Sequence, residues 1–364
     1  VITVLLAAVV SLVVSLFGMP VFIRAAHRHG WGQFIREDGP RTHLTKRGTP
    51  TMGGVVILIA VVVGYFVAKL LTGSTPTASG LLLLGLMIGM GLIGLADDIV
   101  KVRNHRSLGL TPAAKLVAQL VVTGLFAWGV LQFPDASGLT PASTHVSFLR
   151  DLPIDLFVWG VVPGAILFFI WVYLIVAGFS NAVNLTDGLD GLAGGIGILT
   201  FGAYGALAFW QFNQDCERIT ALSIGQCYET RDPLDVLVVT ITIVAALIGF
   251  LWWNTSPAQV FMGDTGSLAL GGAFAGIAIE TRTELLSVLI GAMFVVALLS
   301  SLIQIGWFKL SGGHRVFLMA PLHHHFELKG WAQVTVVVRF WILAGLCAVS
   351  GLAIFYMQWV SSTR

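Results

Sequence analysis

Ten stretches of roughly 20 residues, each nearly free of charge, run through the 364-residue chain, and a hydrocarbon core ~30 Å thick takes about that length per helical crossing. They lie at about 1–23, 51–71, 80–96, 112–133, 156–178, 191–212, 234–253, 266–280, 285–307 and 334–359. Residues 81–86 and 236–250 are apolar on every face, and no stretch shows the alternation of a membrane β-strand. A segment in lipid must satisfy its own backbone hydrogen bonds, so the pattern predicts an all-α, polytopic integral membrane protein with about ten transmembrane helices. Composition agrees: 56% of residues are apolar, 10% are charged, and the mean hydropathy is +0.89, outside the range of soluble domains. No hydrophilic stretch exceeds a loop, and neither tandem nor inverted repeats stand out, so residues 1–364 read as a single transmembrane domain. The first apolar run lacks a basic leader and a small-residue cleavage site before Arg24, which makes it a retained span rather than a signal peptide.

The net charge of +2 says little, because orientation depends on how the cations divide between the two sides. With loops assigned alternately, one side holds fourteen of the twenty Lys and Arg residues: Arg24, Arg28, Arg36, Arg41, Lys46, Arg47, Lys101, Arg103, Arg106, Lys115, Lys309, Arg315, Lys329 and Arg339. That side is cytoplasmic by the positive-inside rule. Both termini then lie outside, and eight of the nine histidines are cytoplasmic, which puts the expected active site on that face. Cys216 and Cys227 share an outside loop, where an oxidising compartment permits a disulfide without requiring one, and Cys347 lies within the last span.

Polar groups at membrane ends are costly to desolvate, so their clustering on one side is informative. Gly94-Leu95-Ala96-Asp97-Asp98 closes the third run with adjacent carboxylates, followed by Lys101, Arg103 and Arg106. Such a pair can bind a cation or take a proton from a phosphate nucleophile; the plainer alternative is a solvated helix end. The segment at 181–191 carries Asn181, Asn184, Asp187 and Asp190, with Gly188 and Gly191 permitting close approach of a ligand to the backbone. Asn184 offers a donor and an acceptor to a base or sugar, although a structural turn would also use it. Residues 254–267 contain Asn254, Phe261 and Asp264, the last at the start of the eighth run, where a lone Asp is ordinarily an N-cap. Recurrent Asp on one side favours Mg²⁺, which takes one or two carboxylates and completes its shell with phosphate and water.

The last cytoplasmic loop holds His323, His324 and His325, which cannot all point one way on a helix. The spacing suits phosphate binding or proton transfer better than zinc, and an internal position excludes an expression tag. Lys46-Arg47-Gly48-Thr49-Pro50-Thr51 leads into the second run as a possible phosphate or nucleobase cradle.

In chain order, KRGTPTMGG, GLADD, NAVNLTDGLDG, FMGDTGSLALGG and PLHHHFELKGW resemble the bacterial phospho-N-acetylmuramoyl-pentapeptide transferase family, a branch of the polyprenyl-phosphate N-acetylhexosamine-1-phosphate transferases. The resemblance covers nearly the whole chain. It implies a bilayer-embedded homodimer, ten spans with both termini outside, and no nucleic-acid partner. It also implies Mg²⁺-dependent transfer of phospho-N-acetylmuramoyl-pentapeptide from its UDP-linked form to undecaprenyl phosphate, with release of UMP. On the matching positions, Asp97 is the expected base for the lipid phosphate, Asp98 stands beside it, Asp264 is the Mg²⁺ ligand and His323 lies at the reacting diphosphate. Gly188, Leu189, Asp190 and Phe261 correspond to the uridine pocket. Lys46, Thr51, Lys115, Asn184, Asp187, Asn254, Gln304, His324 and His325 are expected around the nucleotide and its phosphates. Ile99 departs from the family, which often has an aromatic residue after the Asp pair.

Three other functions fit these residues less well. A sister enzyme using N-acetylglucosamine should differ in the histidine loop. A proton-coupled transporter would place its polar residues near the midplane. A structural scaffold has no use for this many polar residues among glycines.

Overall fold

The computed structural model describes residues 1–32, 46, 48–105, 108–216 and 227–362. Arg36, Arg41, Arg47 and Arg106, counted above among the cytoplasmic cations, lie outside the described residues. Among those described, the elements are α1 (Ile2–His29), α2 (Gly54–Thr72), α3 (Ala78–Arg103), α4 (Pro112–Gly129), β1 (His145–Ser147), β2 (Asp151–Asp155), α5 (Val161–Thr186), α6 (Leu192–Asn213), α7 (Pro233–Asn254), α8 (Gly263–Glu280), α9 (Glu284–Ile290), α10 (Ala292–Leu310), α11 (Leu322–Leu328) and α12 (Gln333–Ser362).

Nine of these helices, α1 to α7 with α10 and α12, are long and apolar enough to cross a membrane, so the chain is a polytopic membrane protein. The run expected at 266–280 does form a helix, α8, but its composition falls short of that standard. The reason is its position. Every residue of α8 from Asp264 to Glu280 is buried, chiefly against α3 and α5, so no face has to be compatible with lipid. The run at 285–307 is broken at Gly291 into α9 and α10. A side chain at that break would meet the rings of Phe274 and Phe179 at 2.9 and 3.0 Å.

The described residues are all-helical as expected, apart from one small β element. β1 and β2 pair as a small antiparallel hairpin, with His145 opposite Asp155 and Ser147 opposite Asp151. The segment lacks helical periodicity, and its polar side chains fold back on it: the hydroxyls of Ser147 and Ser143 donate to Asp151 at 2.8 and 2.5 Å. Cys216 and Cys227 are joined in a disulfide, resolving what their positions left open. Arg150 ties this end together, donating to the Cys227 carbonyl at 2.7 Å and lying 4.5 Å over the Tyr228 ring, which stacks on Phe355 of α12.

Helix packing follows the logic of lipid, in which small and polar residues face inward. α1 turns Leu5, Val9, Val13, Phe17 and Val21 outward and buries Ala7, Ser11, Ser15 and Met19. The Ser11 and Ser15 hydroxyls donate to the carbonyls of Thr242 and Ala246 in α7, at 2.8 and 2.7 Å. Close approach to α8 depends on glycine. A Cβ at Gly94 of α3 would stand 2.1 Å from the Asp264 carbonyl oxygen, and one at Gly54 of α2 would stand 2.1 Å from the Gly266 nitrogen. Deeper in, the Phe274 ring of α8 meets Phe179, Phe201 and Tyr204 edge-on at 4.7, 5.6 and 5.2 Å.

Near the start of α3, opposite the end that carries Asp97, Lys69 and Asp235 form a buried ion pair at 5% and 2% exposure. Asp235 also accepts from the Tyr65 hydroxyl at 2.7 Å and from the Thr77 amide and hydroxyl at 3.0 and 2.9 Å, while Lys69 donates to the Thr75 carbonyl. Removing one partner strands the other charge without solvent. Asp235→Ala is therefore expected to destabilise the bundle by about 3–5 kcal/mol, read as a lowered unfolding midpoint in detergent, whereas the wild-type midpoint in that variant would show that the pair contributes nothing.

Candidate active site

The site begins where the last turns of α3 meet the first turn of α8. The N-cap position of α8, Met262, supplies no side-chain acceptor, yet the first amides of a helix need partners and attract negative charge. Asp98 provides the acceptors from α3. Its carboxylate receives the Asp264 amide at 3.1 Å, the Thr265 amide at 2.9 Å and the Thr265 hydroxyl at 2.7 Å. The close approach allowed by Gly94 makes this cap between helices possible.

Asp97, fully buried, lies one residue earlier. One of its oxygens accepts the Leu110 amide at 2.6 Å and faces Lys115 at 3.1 Å, and the other faces Lys101 at 2.7 Å. The turn before α4 covers it so closely that a Cβ at Gly109 would come within 2.3 Å of its oxygen. Asp264 completes the group, pairing with Lys101 at 2.9 Å and Lys115 at 2.5 Å and accepting from the Asn184 amide at 3.0 Å. Asn184 also donates to the Ser267 hydroxyl at 2.9 Å, so here it steadies Asp264.

Oxygens of Asp97, Asp98 and Asp264 lie within 4.8 Å of one another, the one such cluster among the described residues that could hold a metal. Two carboxylates ~4 Å apart repel by roughly 4 kcal/mol at an effective dielectric of 20, so two ammonium groups between them are an electrostatic requirement. Three hard anionic oxygen donors fit a small divalent cation such as Mg²⁺.

The 181–191 segment lies against this cluster. Asp187, at the end of α5, is pushed up to about 7 by burial and then by the charges of Asp264, Asp98 and Asp190. Asp190 is engaged on both oxygens, with Lys46 at 2.7 Å and the Ala258 amide at 3.2 Å, and Lys46 also donates to Gln333 at 2.8 Å. The Asn254 side chain accepts the Gly191 amide at 2.9 Å and donates to the Val260 carbonyl at 2.8 Å, bracing two turns. Leu189 is buried beneath them. The Phe261 backbone pairs with Pro50 and Gly53 at 2.8 and 2.9 Å, and buried Thr51 sits beside Gly263. The 46–54, 181–191 and 254–267 motifs thus meet in one place.

Two of the three histidines join them. A side chain at Gly188 would lie 2.5 Å from His323 Nε2 and 3.1 Å from His324 Nε2, so both rings sit over this turn. His325 points elsewhere. Its Nδ1 accepts the Leu318 amide at 3.0 Å, as a neutral ring can, and burial with the charge of Lys329 favours the neutral form. Gln304 serves the same loop, accepting the Val316 and Phe317 amides at 3.2 and 2.9 Å. These two residues therefore shape the loop and take no part in the carboxylate cluster's hydrogen bonds.

Lys101, Thr265, Ser267, Gln333 and Glu327 also contact site residues, beyond those expected there from the sequence. Lys101 had a signal, its spacing of four from Asp97 on one helix, which puts the two on the same face. Gln333 had none, because its partner Lys46 is 287 residues away.

The same motifs recur in known proteins. A family model described as Glycosyl transferase family 4 matches residues 80–282, and one described as Phospho-N-acetylmuramoyl-pentapeptide-transferase signature 1 matches residues 46–58. The chain is 57% identical over 366 residues to the phospho-N-acetylmuramoyl-pentapeptide-transferase of Paenarthrobacter aurescens, covering 99% of each protein. It is 56% identical over 361 residues to that of Kineococcus radiotolerans, again covering 99% of each. It is 55% identical over 359 residues to that of Cutibacterium acnes, covering 98% of this chain and 99% of that protein. Similarity of this extent spans every segment that builds the site, and the chain accordingly belongs to the phospho-N-acetylmuramoyl-pentapeptide-transferase family.

Proposed function

We propose that the chain transfers phospho-N-acetylmuramoyl-pentapeptide from its UDP-linked form to undecaprenyl phosphate, forming lipid I and UMP for peptidoglycan synthesis in the bacterial cytoplasmic membrane. The observation that carries this reading is the cluster of three carboxylates bridged by Lys101 and Lys115, adjoining the Gly188 turn and its histidines. It is the arrangement a reaction between two phosphate anions requires: carboxylates for a proton and a metal, cations set among them, and a nucleotide platform alongside.

Residues 1–364 act as one transmembrane domain with ten crossings, α8 included, both ends outside and the site facing the cytoplasm. The described cations Lys101, Arg103 and Lys115 at the site's end support that orientation. The working unit is a homodimer. Asp264, with Asp97 and Asp98 beside it, would hold Mg²⁺, which when bound supplies positive charge to diphosphate oxygens. Gly188, Leu189, Asp190 and Phe261 receive the uridine. Lys46, Thr51, Asn184, Asp187, Asn254, Gln304, His324 and His325 surround the nucleotide directly or through the loops they brace, and His323 lies at the diphosphate.

In the reaction, an oxygen of the lipid phosphate attacks the sugar-bearing phosphorus as the bond to the bridging oxygen breaks, and UMP leaves with the electron pair. Asp97 takes the proton of the acceptor phosphate, and Lys101 and Lys115 offset the charge brought together. Asp97 lies beneath the Gly109–Leu110 turn, which has to open for the acceptor to reach it. Both oxygens of Asp98 are already committed to the start of α8, which supports direct attack over a phospho-aspartate on that residue. One phosphoanhydride replaces another, so the enzyme supplies positioning rather than driving force.

The purified protein is expected to transfer labelled sugar phosphate from UDP-N-acetylmuramoyl-pentapeptide to undecaprenyl phosphate only with Mg²⁺, to lose the activity in Asp264→Asn, and to leave UDP-N-acetylglucosamine untouched. Use of the N-acetylglucosamine donor would move it to the sister branch, and transfer of neither would sink the assignment. Asp97→Asn should lower kcat by about 10²–10⁴-fold, the range for loss of a general base, with the unfolding midpoint retained; an unchanged kcat would remove Asp97 from that role. Excess UMP added to lipid I should regenerate the nucleotide sugar, and an irreversible reaction would contradict the energy balance.

A further inference from the structure

α11 carries its histidines on a short helix whose attachment to neighbouring elements is well defined. The Leu322 amide donates to the Ser300 hydroxyl of α10 at 3.0 Å, and Phe326 stacks on Trp331 at 4.6 Å. Trp331 in turn lies under Arg339 of α12 at 4.1 Å. His324 and Glu327 are three residues apart, which puts them on the same side of the helix.

His324 Nδ1 lies 2.7 Å from Glu327 Oε2, and the two side chains are 12% and 6% exposed. An ionised carboxylate only accepts hydrogen bonds, so Nδ1 carries the proton in this contact, whatever the state of Nε2. The ring is thereby pinned by one nitrogen, and the other is directed at the Gly188 turn, 3.1 Å from where a Cβ would stand. The His323 ring packs edge-on against it, 4.2 Å away and inclined by 65°. A carboxylate bonded to the far nitrogen of an imidazole is a general means of fixing its tautomer and direction.

We propose that Glu327 is a positioning residue that holds His324 with Nδ1 protonated and Nε2 aimed at the nucleotide over the Gly188 turn. The proposal rests on the function proposed above for the identity of the ligand, while the pairing itself is a property of α11. Glu327 acts through His324 and touches no substrate.

A double-mutant cycle tests this, with wild type, Glu327→Ala, His324→Ala and the double variant compared in kcat/KM for transfer and in UMP affinity by calorimetry. Glu327→Ala is expected to lose about 10–100-fold, the usual range for removal of an orienting partner, and the double variant is expected to be no worse than His324→Ala alone. Losses that multiply in the double variant, or wild-type behaviour of Glu327→Ala, would overturn the proposal, since a purely structural role adds to the loss of His324. If Glu327→Ala does not fold, Glu327→Gln carries the same cycle with the same two outcomes. Should the wild type transfer no muramoyl substrate, the proposed reaction fails, and the UMP cycle still decides the role of Glu327.

Discussion

Three carboxylates within 4.8 Å of one another are unstable neighbours in a membrane protein, and the site depends on how they are compensated. Two lysines from different elements stand between them, and the amide end of α8 takes up Asp98. Neither compensation works at a distance. α3 and α8 have to touch at this end, and the glycine at 94 lets them do so. The electrostatics of the site and the packing of the two helices are one constraint, since a side chain at Gly94 would separate Asp98 from the amides it caps.

The opposite end of the bundle solves a related problem differently. There Lys69 and Asp235 form a single pair, surrounded by Tyr65, Thr75 and Thr77, which satisfy the remaining hydrogen-bonding capacity. That arrangement is closed and locks α2, the start of α3 and α7 together. At the site, the same residue types leave Asp264 partly accessible and place Lys101 against all three carboxylates. A closed pair stabilises, whereas a shared set of charges can be redistributed when an anion or a cation arrives.

Much of this was legible in the chain. Nine of the ten apolar runs appear as helices with the length and composition of a span, because a crossing imposes its length and composition directly. Asp97, Asp98 and Asp264 were identifiable because carboxylates are costly there, and His323 and His324 do reach the Gly188 turn. Contacts between distant segments were not legible. Nothing local to Lys46 points to Gln333, and nothing in the histidine run tells which ring turns toward Leu318. The β1–β2 hairpin was missed because spans of three and five residues carry little periodicity. The break at Gly291 was missed because its cause, the rings of Phe274 and Phe179, comes from other helices.

α8 has a consequence for how the protein is made. Its glycines, together with Asp264 at one end and Glu280 at the other, suit a helix surrounded by protein, and its composition falls below that of the nine others. A nascent segment of this kind gains little by partitioning into lipid alone. The seam that receives it in the folded protein is formed by α3 and α5, both earlier in the chain. The helix that opens with a metal-ligand candidate thus relies on protein rather than lipid for its burial, and the cluster exists only where α3 and α5 close around it.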